Sequence, residues 1–453
     1  MASKAFAVAL VCNLFFSFAY VASIFLPKDE VIKSLQKSQV SGVLKTPENS
    51  IERSTTGWGI DYGTECVALS IDLRESKEME IAPDYLSRFY DGYLVSGKNV
   101  GVFDPCNGLI QLINSPEMSD DQISYARNWW GISVFIQLLI WLIGFASAKA
   151  YLYVLMIVTL GLLYFRISKK FSDWKIGIFF LAPMVLYGDF QELHNSFPYS
   201  IFTIQLFLMS YIILNLVELK NYNLPKFLIT SVTMGAIYNF FFWFNFHLVL
   251  TMIPALIFLV LYRVEILTKI YTKILVFLTG FSFGFIFTTL FKWTISVGIF
   301  GNEILLTIKD ALGLRLSSNS LGINEQLSQY SDVTKNFPLS LRAVIVNLMV
   351  FASKFMDPRN SGQVGQILLI SFYLFVIILS YRKLRINFDF NISEAVSALP
   401  IISIPFIYFI LTPNHSFNHA TVSYRAIPIT LGFIISFIYI MKVRVNRNYK
   451  SVS

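Results

Sequence analysis

Two carboxylates four residues apart are the first candidates for chemistry in this chain. Asp61 and Glu65 lie in a glycine-rich stretch, residues 57–69, that also carries two large aromatic rings. Glycines let a backbone turn tightly and approach a ligand closely, and the rings offer stacking faces. If residues 64–73 form a helix, both carboxylates project from one side of its first turns. A carboxylate is one of the side chains that can act as a general acid or base.

The elements that must position these residues are membrane helices. Of the 453 residues, 55% are hydrophobic and only 14% are charged, which excludes an ordinary soluble domain. Repeated apolar runs of about 20 residues each match the length that crosses a bilayer. The composition predicts one all-α polytopic domain over residues 1–453, with about 10–12 transmembrane helices.

Charge is distributed unevenly between the two sides of this predicted membrane protein. Residues 27–128 hold 16 acidic and 10 basic residues, a net charge of −6, whereas the whole chain is +8, which leaves +14 for the remainder. Short loops rich in Lys and Arg face the cytoplasm, so residues 27–128 are predicted to form a large extracytoplasmic loop with short helices. The basic balance therefore reflects topology, and no nucleic-acid partner is expected. The predicted location is the inner (plasma) membrane, as a multi-pass protein.

Several predictions concern how single apolar stretches divide. Residues 5–26 read as an uncleaved first span. Residues 131–167 have room for two short helices broken near Ser147–Lys149, or for one span with an interfacial helix. Residues 227–262 are too long for one span, so a turn near residues 243–247 is expected to make them a hairpin.

A second outer loop is predicted over residues 299–355. Its segment 342–354 is apolar for too few residues to cross the membrane, which favours an interfacial or re-entrant helix. Cys66 and Cys106 both lie in the first loop, whereas Cys12 lies in the first span. If that loop is extracytoplasmic, a disulfide between Cys66 and Cys106 is allowed but not required.

Several cations and all the histidines fall on the same predicted outer side. Each has an ordinary explanation, because polar residues often stand where membrane helices end, and Arg127 beside Trp129 also fits an interfacial anchor. Their convergence on one face instead favours a substrate with a phosphate head and a lipid tail. The residues concerned are Arg127, Lys292, Arg425, His194, His247, His415 and His419.

Metal binding is a separate question. His415 and His419 are four residues apart, a spacing that on a helix presents two imidazoles to one ion, which Asp61 or Glu65 could complete. Pro413 and the neighbouring Asn and Ser residues favour irregular structure there, so no metal ligand is assigned, and a loosely bound divalent cation is left open. The motifs of nucleotide-binding loops are absent from the sequence.

Short motifs spread along the chain resemble a group of bacterial multi-pass proteins found near cell-surface polysaccharide genes. More broadly, the layout is similar to the GT-C class of polyprenyl-phosphate-sugar-dependent glycosyltransferases, which have many membrane helices and a large first outer loop with a catalytic carboxylate. Asn128 and Trp130 depart from the pattern, and no acidic pair marks the start of the loop. The motifs are residues 64–69, 125–131, 239–243, 292–293 and 415–425.

This resemblance implies a GT-C-like fold and transfer of a sugar from a polyprenyl-phosphate donor to a cell-surface glycan or lipid-linked acceptor, for instance in O-antigen modification. Glu65 would be the base and Asp61 its alternative or helper. Arg127, Lys292 and Arg425 would bind phosphate, and His415 and His419 would orient the substrates; Tyr424, His194 and Trp129 complete the predicted site. A transporter or flippase, or a polymerase, for lipid-linked saccharides is the alternative.

Overall fold

The structure is a computed structural model. It describes residues 2–23, 25–44, 65–66, 68–69, 93–95, 105–114, 122–124, 131–188, 196–217, 223–241, 246–262, 264–302, 305–306, 309, 334–356, 392–418 and 420–450.

The amino-terminal part contains one long first helix, the described pieces of the acidic loop and a broken pair of helices. In chain order the elements are α1 (Ala2–Ser23), α2 (Lys28–Val40), β1 (Tyr93–Val95), α3 (Pro105–Asn114), β2 (Gln122–Ser124), α4 (Gly131–Ile143) and α5 (Phe145–Phe171). The two strands form a small antiparallel ladder.

The regular elements described in the carboxy-terminal part are all helices. Its elements are α6 (Trp174–Tyr187), α7 (Phe197–Val217), α8 (Leu224–Phe241), α9 (Phe246–Leu261), α10 (Leu267–Phe300), α11 (Leu339–Met356), α12 (Ile392–Leu411), α13 (Pro413–Asn418), α14 (Ala420–Ser423) and α15 (Ala426–Lys450).

Length and composition make this an all-α membrane protein. Within the described ranges, four helices, α1, α5, α7 and α10, are long and apolar enough to cross a membrane. Six shorter apolar helices pack with them or with one another: α4, α6, α9, α11, α12 and α15. The apolar stretch 227–262 is divided between α8 and α9, as predicted. Of the turn predicted near residues 243–247, residues 243–245 lie outside the described ranges, and residues 246 and 247 are the first two of α9.

Of the two divisions considered for residues 131–167, the structure matches one span with a shorter helix, because α5 is long enough to cross a membrane and α4 is not. The break between them lies earlier than the position considered for two short helices. It falls at Gly144, whose φ is +79°, rather than near Ser147–Lys149. Glycine adopts positive φ without the steric cost that a side chain adds, so the chain turns there and α5 begins at once. Lys149 is therefore placed in the first turns of a helix.

Helices α8 and α10 approach each other through small residues. A Cβ atom on Gly235 would collide with the carbonyl oxygen of Phe281, and one on Gly284 would collide with that of Val232. Glycines at such positions let two backbones pack closely where no hydrophobic effect drives helices together. Asn239 adds a bond across the same interface, since its Nδ2 donates to Thr289 Oγ1 at 2.7 Å.

The segment around Pro413 is helical, which corrects the prediction of irregular structure. Proline is tolerated at the first position of a helix because its missing N–H has no partner there in any case. Asn347 of α11 holds the segment, since its Nδ2 donates to the Ser416 carbonyl at 2.9 Å and its Oδ1 accepts from Ser423 Oγ at 2.7 Å. The apolar part of α11, Leu339–Ala352, is shorter than the roughly 20 residues that cross a bilayer.

Ring contacts show which helix ends lie together. Phe145 at the start of α5 packs on Phe197 at the start of α7, with centroids 5.2 Å apart, and Phe202 of α7 packs on Tyr238 near the end of α8 at 5.8 Å. We call this the loop end of the bundle: α1, α6, α8, α10 and α12 end there, and α5, α7, α9 and α15 begin there. Lys169 and Lys170, in the last turn of α5, lie at the opposite end.

Candidate functional site

Glu65 is docked against the loop end by a buried ion pair. Its Oε1 lies 2.9 Å from Nζ of Lys149, and the side chains are only 4% and 16% exposed. The backbone N–H of Phe197 also donates to this carboxylate. Burial raises the pKa of the Glu65 carboxyl, and the attraction of Lys149 opposes that rise. The loop acid is therefore buried, and it has a cationic partner that the sequence did not reveal.

The partner Lys149 is held between aromatic faces. Its Nζ lies 4.9 Å from the centroid of Phe145 and 5.6 Å from that of Phe197. The Phe145 amide in turn donates to Ser34 Oγ of α2 at 3.0 Å. The start of α5 thus joins the acidic loop, α2 and α7 in one packed cluster.

A disulfide fixes the same part of the loop. Cys66, next to Glu65, is bonded to Cys106 of α3. Helix α3 is tied to α2 because Gln36 Nε2 donates to the Ile113 carbonyl at 2.8 Å. The position of Glu65 is therefore fixed by the disulfide of the neighbouring Cys66 and by the ion pair with Lys149.

Lys292 is a second buried cation at the loop end. It lies on α10, is 1% exposed, and its Nζ is 5.8 Å from the ring centroid of Tyr20. Tyr20 contacts Phe240 edge-on at 5.9 Å, which places Lys292 near the ends of α1 and α8. Below it, Asn13 Nδ2 donates to Thr288 Oγ1 at 3.0 Å.

Arg425 is a third cation, buried where α15 begins. It is 4% exposed and its guanidinium carbon lies 4.8 Å from the ring centroid of Tyr199. It lines a cavity of about 20 Å³ together with Gly188, Thr203 and Leu248, among others. This volume holds about one water molecule, so the cavity as it stands admits a single small group and no sugar ring.

The remaining predicted site residues divide into two groups. Tyr424 is fully buried next to Arg425, and His415 is half-buried on α13. The others lie outside the residues that the structure describes: Asp61, Arg127, Trp129, His194 and His419. Within the described ranges, no three His, Cys, Asp or Glu side chains come together in a group that could hold a metal ion.

His247 is a polar residue that sequence reasoning noted only as one of four outer histidines. It is fully buried, its Nε2 is 3.2 Å from the Ser423 carbonyl, and its ring stacks on Tyr408 with centroids 4.5 Å apart. Its position at the end of the turn expected near residues 243–247, where α9 begins, is the signal that could have marked it.

Fold and site together define a helical membrane protein whose bundle buries several cations and aromatic rings at one end, beneath an acidic loop. Neither a protein family, nor a curated protein, nor a solved structure was found to match this chain.

Proposed function

We propose that this chain is a GT-C-like membrane glycosyltransferase, which moves a sugar from a polyprenyl-phosphate donor to a cell-surface glycan or lipid-linked acceptor. The observation that carries the proposal is the burial of Lys292 and Arg425, 1% and 4% exposed, at the loop end of an apolar bundle. Charged side chains inside a membrane are costly and mark the places where ions or polar substrates bind. A lipid phosphate supplies the matching negative charge and remains in the membrane.

The charge distribution supports an extracytoplasmic position for this end. The acidic loop docks there through Glu65, whereas Lys169 and Lys170 lie at the opposite end. Because basic residues are retained on the cytoplasmic side, we infer that the loop end faces outward. Lipid-linked sugars presented there need no nucleotide.

Arg425 is the phosphate-binding residue that we favour. Its guanidinium presents several N–H donors in a fixed fork, which suits phosphate oxygens, and Tyr199 covers one of its faces. Negative charge grows on the phosphate as the sugar leaves, so a positioned cation stabilises the transition state more than the ground state.

Asp61 and Glu65 differ in what the reaction would require of them. Glu65 is paired with Lys149 at 2.9 Å, so it must release that lysine before it can accept a proton from an acceptor hydroxyl. If Glu65 is the base, opening of this ion pair is part of the cycle. If Asp61 is the base, Glu65 is a positioning residue that holds the loop in place.

The test is turnover of labelled polyprenyl-phosphate sugars by the purified protein, with free polyprenyl phosphate and labelled glycan as products. We expect the general base to be identified by a loss of about 10²–10⁴-fold in either Asp61→Asn or Glu65→Gln. Arg425→Gln should also reduce turnover, whereas Lys170→Gln, a matched cation at the opposite end, should not.

Proteoliposomes distinguish the alternative. If labelled lipid crosses the membrane and no sugar is transferred to any acceptor, then the protein is a transporter or flippase and the proposal is wrong. If an acceptor is elongated by repeated addition of whole lipid-linked units, it is a polymerase.

A further inference from the structure

One ring nitrogen of His247 has no hydrogen-bond partner among the described residues. Nε2 contacts the Ser423 carbonyl at 3.2 Å, and because a carbonyl only accepts, Nε2 must carry the proton. In a neutral ring the other nitrogen, Nδ1, is then an acceptor with an available lone pair. Nδ1 is fully buried, and no described side chain or backbone group donates to it.

A buried acceptor without a donor is costly, by about 1–3 kcal/mol, and so requires an explanation. A second proton on the ring would not remove the cost, because it would bury another positive charge within electrostatic range of Arg425. A neutral donor, such as a hydroxyl group, would satisfy Nδ1 without that cost.

The surroundings of His247 suit a hydroxyl group of a bound molecule. Because the cavity beside Arg425 holds only about 20 Å³, a sugar that carries this hydroxyl must displace neighbouring side chains as it binds. Ser423, which fixes the ring, is two residues from Arg425, the phosphate-binding candidate. The ring cluster continues from Tyr408 to Phe246, with centroids 5.1 Å apart, and the fully buried Tyr238 hydroxyl also has no partner in the described part of the chain. Aromatic faces with a few polar groups among them are typical of small-ligand sites.

We propose that His247 Nδ1 accepts a hydrogen bond from a hydroxyl of the sugar whose phosphate is bound by Arg425. The inference rests on the proposed function and adds to it a residue that selects the sugar. His247 then distinguishes a sugar-bearing lipid phosphate from the bare lipid phosphate, whereas Arg425 binds both.

Two substitutions separate this role from a purely structural one. In His247→Gln the side-chain amide can reach the position of Nε2 and still donate to the Ser423 carbonyl, but nothing occupies the position of Nδ1. In His247→Asn the shorter amide occupies the position of Nδ1 and loses the Ser423 contact.

The experiment measures thermal stabilisation of purified protein by geranyl phosphate and by geranyl-phosphate monosaccharides, together with the KM for a polyprenyl-phosphate sugar. Wild type should be stabilised more by a sugar-bearing probe than by the bare phosphate. His247→Gln should unfold at the wild-type temperature, lose this difference and raise the KM about 10-fold, the effect of one buried hydrogen bond left unmade. His247→Asn should unfold at a lower temperature yet keep part of the difference.

The outcomes separate the two proposals. If wild type transfers sugar and His247→Gln keeps the full difference between the probes, then His247 is structural and this inference alone is wrong. If wild type binds neither probe and transfers nothing, the proposed function is wrong and the sugar site falls with it.

Discussion

Replacing Lys149 with methionine removes the cation that compensates the buried Glu65 carboxylate. The pair is separated by 2.9 Å, and only 4% of the Glu65 side chain is exposed, so water cannot take the place of the lysine. Breaking a buried pair by removing one partner costs about 3–5 kcal/mol, because the remaining charge is uncompensated. We expect Lys149→Met to lower the free energy of unfolding by an amount in this range.

Replacing the other partner, Glu65, should lower the free energy of unfolding by less. In Glu65→Gln the lysine ammonium remains over the rings of Phe145 and Phe197, and 16% of its side chain is exposed. Cation–π contacts and partial hydration therefore compensate it in part, and we expect a loss of about 1–2 kcal/mol. The double variant has two neutral side chains and should be nearly as stable as wild type, because replacing a whole buried pair is often neutral.

Titration of Glu65 gives this prediction a pH dependence. Burial raises the folded-state pKa of this carboxyl above its ordinary value of 4.5. The folded protein then binds the proton more tightly than the unfolded chain, so this group contributes most to stability below pH 4.5, and the contribution is lost as pH rises through the folded pKa. Without Lys149 the rise is larger, so the deficit of Lys149→Met should shrink as the pH is lowered from 8 to 5.

The assay is unfolding by increasing SDS in mixed micelles, followed by tryptophan fluorescence, for wild type, both single variants and the double variant. The coupling between the substitutions should be about 4–7 kcal/mol in favour of the pair, since the double variant recovers nearly all of the two single losses. Effects that simply add, or a Lys149→Met protein as stable as wild type at pH 8, would refute the reasoning.

Three further predictions concern the bundle, the loop and the topology. Gly284→Leu should force α8 and α10 apart, at a cost of about 1–3 kcal/mol, and should reduce the yield of monodisperse protein in size-exclusion chromatography. Gly161→Ala, whose added methyl group meets open space, should not reduce that yield, and equal yields of the two variants would contradict the packing. Cys106→Ser should lower the free energy of unfolding by about 2–5 kcal/mol, because it removes the disulfide with Cys66. Reductant should lower the unfolding temperature of wild type but not that of the variant. A variant that remains sensitive to reductant would show that another disulfide is involved. Ser96→Cys and Ser451→Cys should react with an impermeant maleimide from opposite sides of the membrane, and labelling of both from one side would overturn the proposed orientation.

The repeated apolar runs were sufficient to predict the helical membrane class, because a membrane span depends on the composition of about 20 consecutive residues. The division of residues 227–262 into α8 and α9 follows from length alone. Whether residues 131–167 form two short helices or one span with a shorter helix was left open, and the break was considered near Ser147–Lys149 rather than at Gly144. A lysine in an apolar run looks like the end of a helix when its partner is unknown. The helix at Pro413 was missed because the bonds from Asn347 that hold it come from a distant part of the chain.

Single residues of the candidate site could be predicted from the sequence, but the contacts between them could not. Burial of the Glu65 carboxyl could be expected from its apolar continuation, but its partner Lys149 lies 84 positions further along and no local pattern joins them. The same is true of His247, whose role depends on a carbonyl 176 residues away. Pairings of this kind are set by the packing of whole helices, which a sequence without its fold does not specify.

The length of α10 has a consequence for how the protein sits in its bilayer. A helix of 34 residues is about 51 Å long at 1.5 Å per residue, and the hydrocarbon core is only about 30 Å thick. An upright α10 therefore extends about 20 Å beyond the core in total, unless it tilts or the bilayer thickens around it. Lys292 lies eight residues, or about 12 Å, before the last residue of the helix. If the excess is divided equally between the two ends, about 10 Å at each, Lys292 lies close to the boundary between acyl chains and head groups. This is the depth at which the phosphate of the proposed lipid substrate would be held.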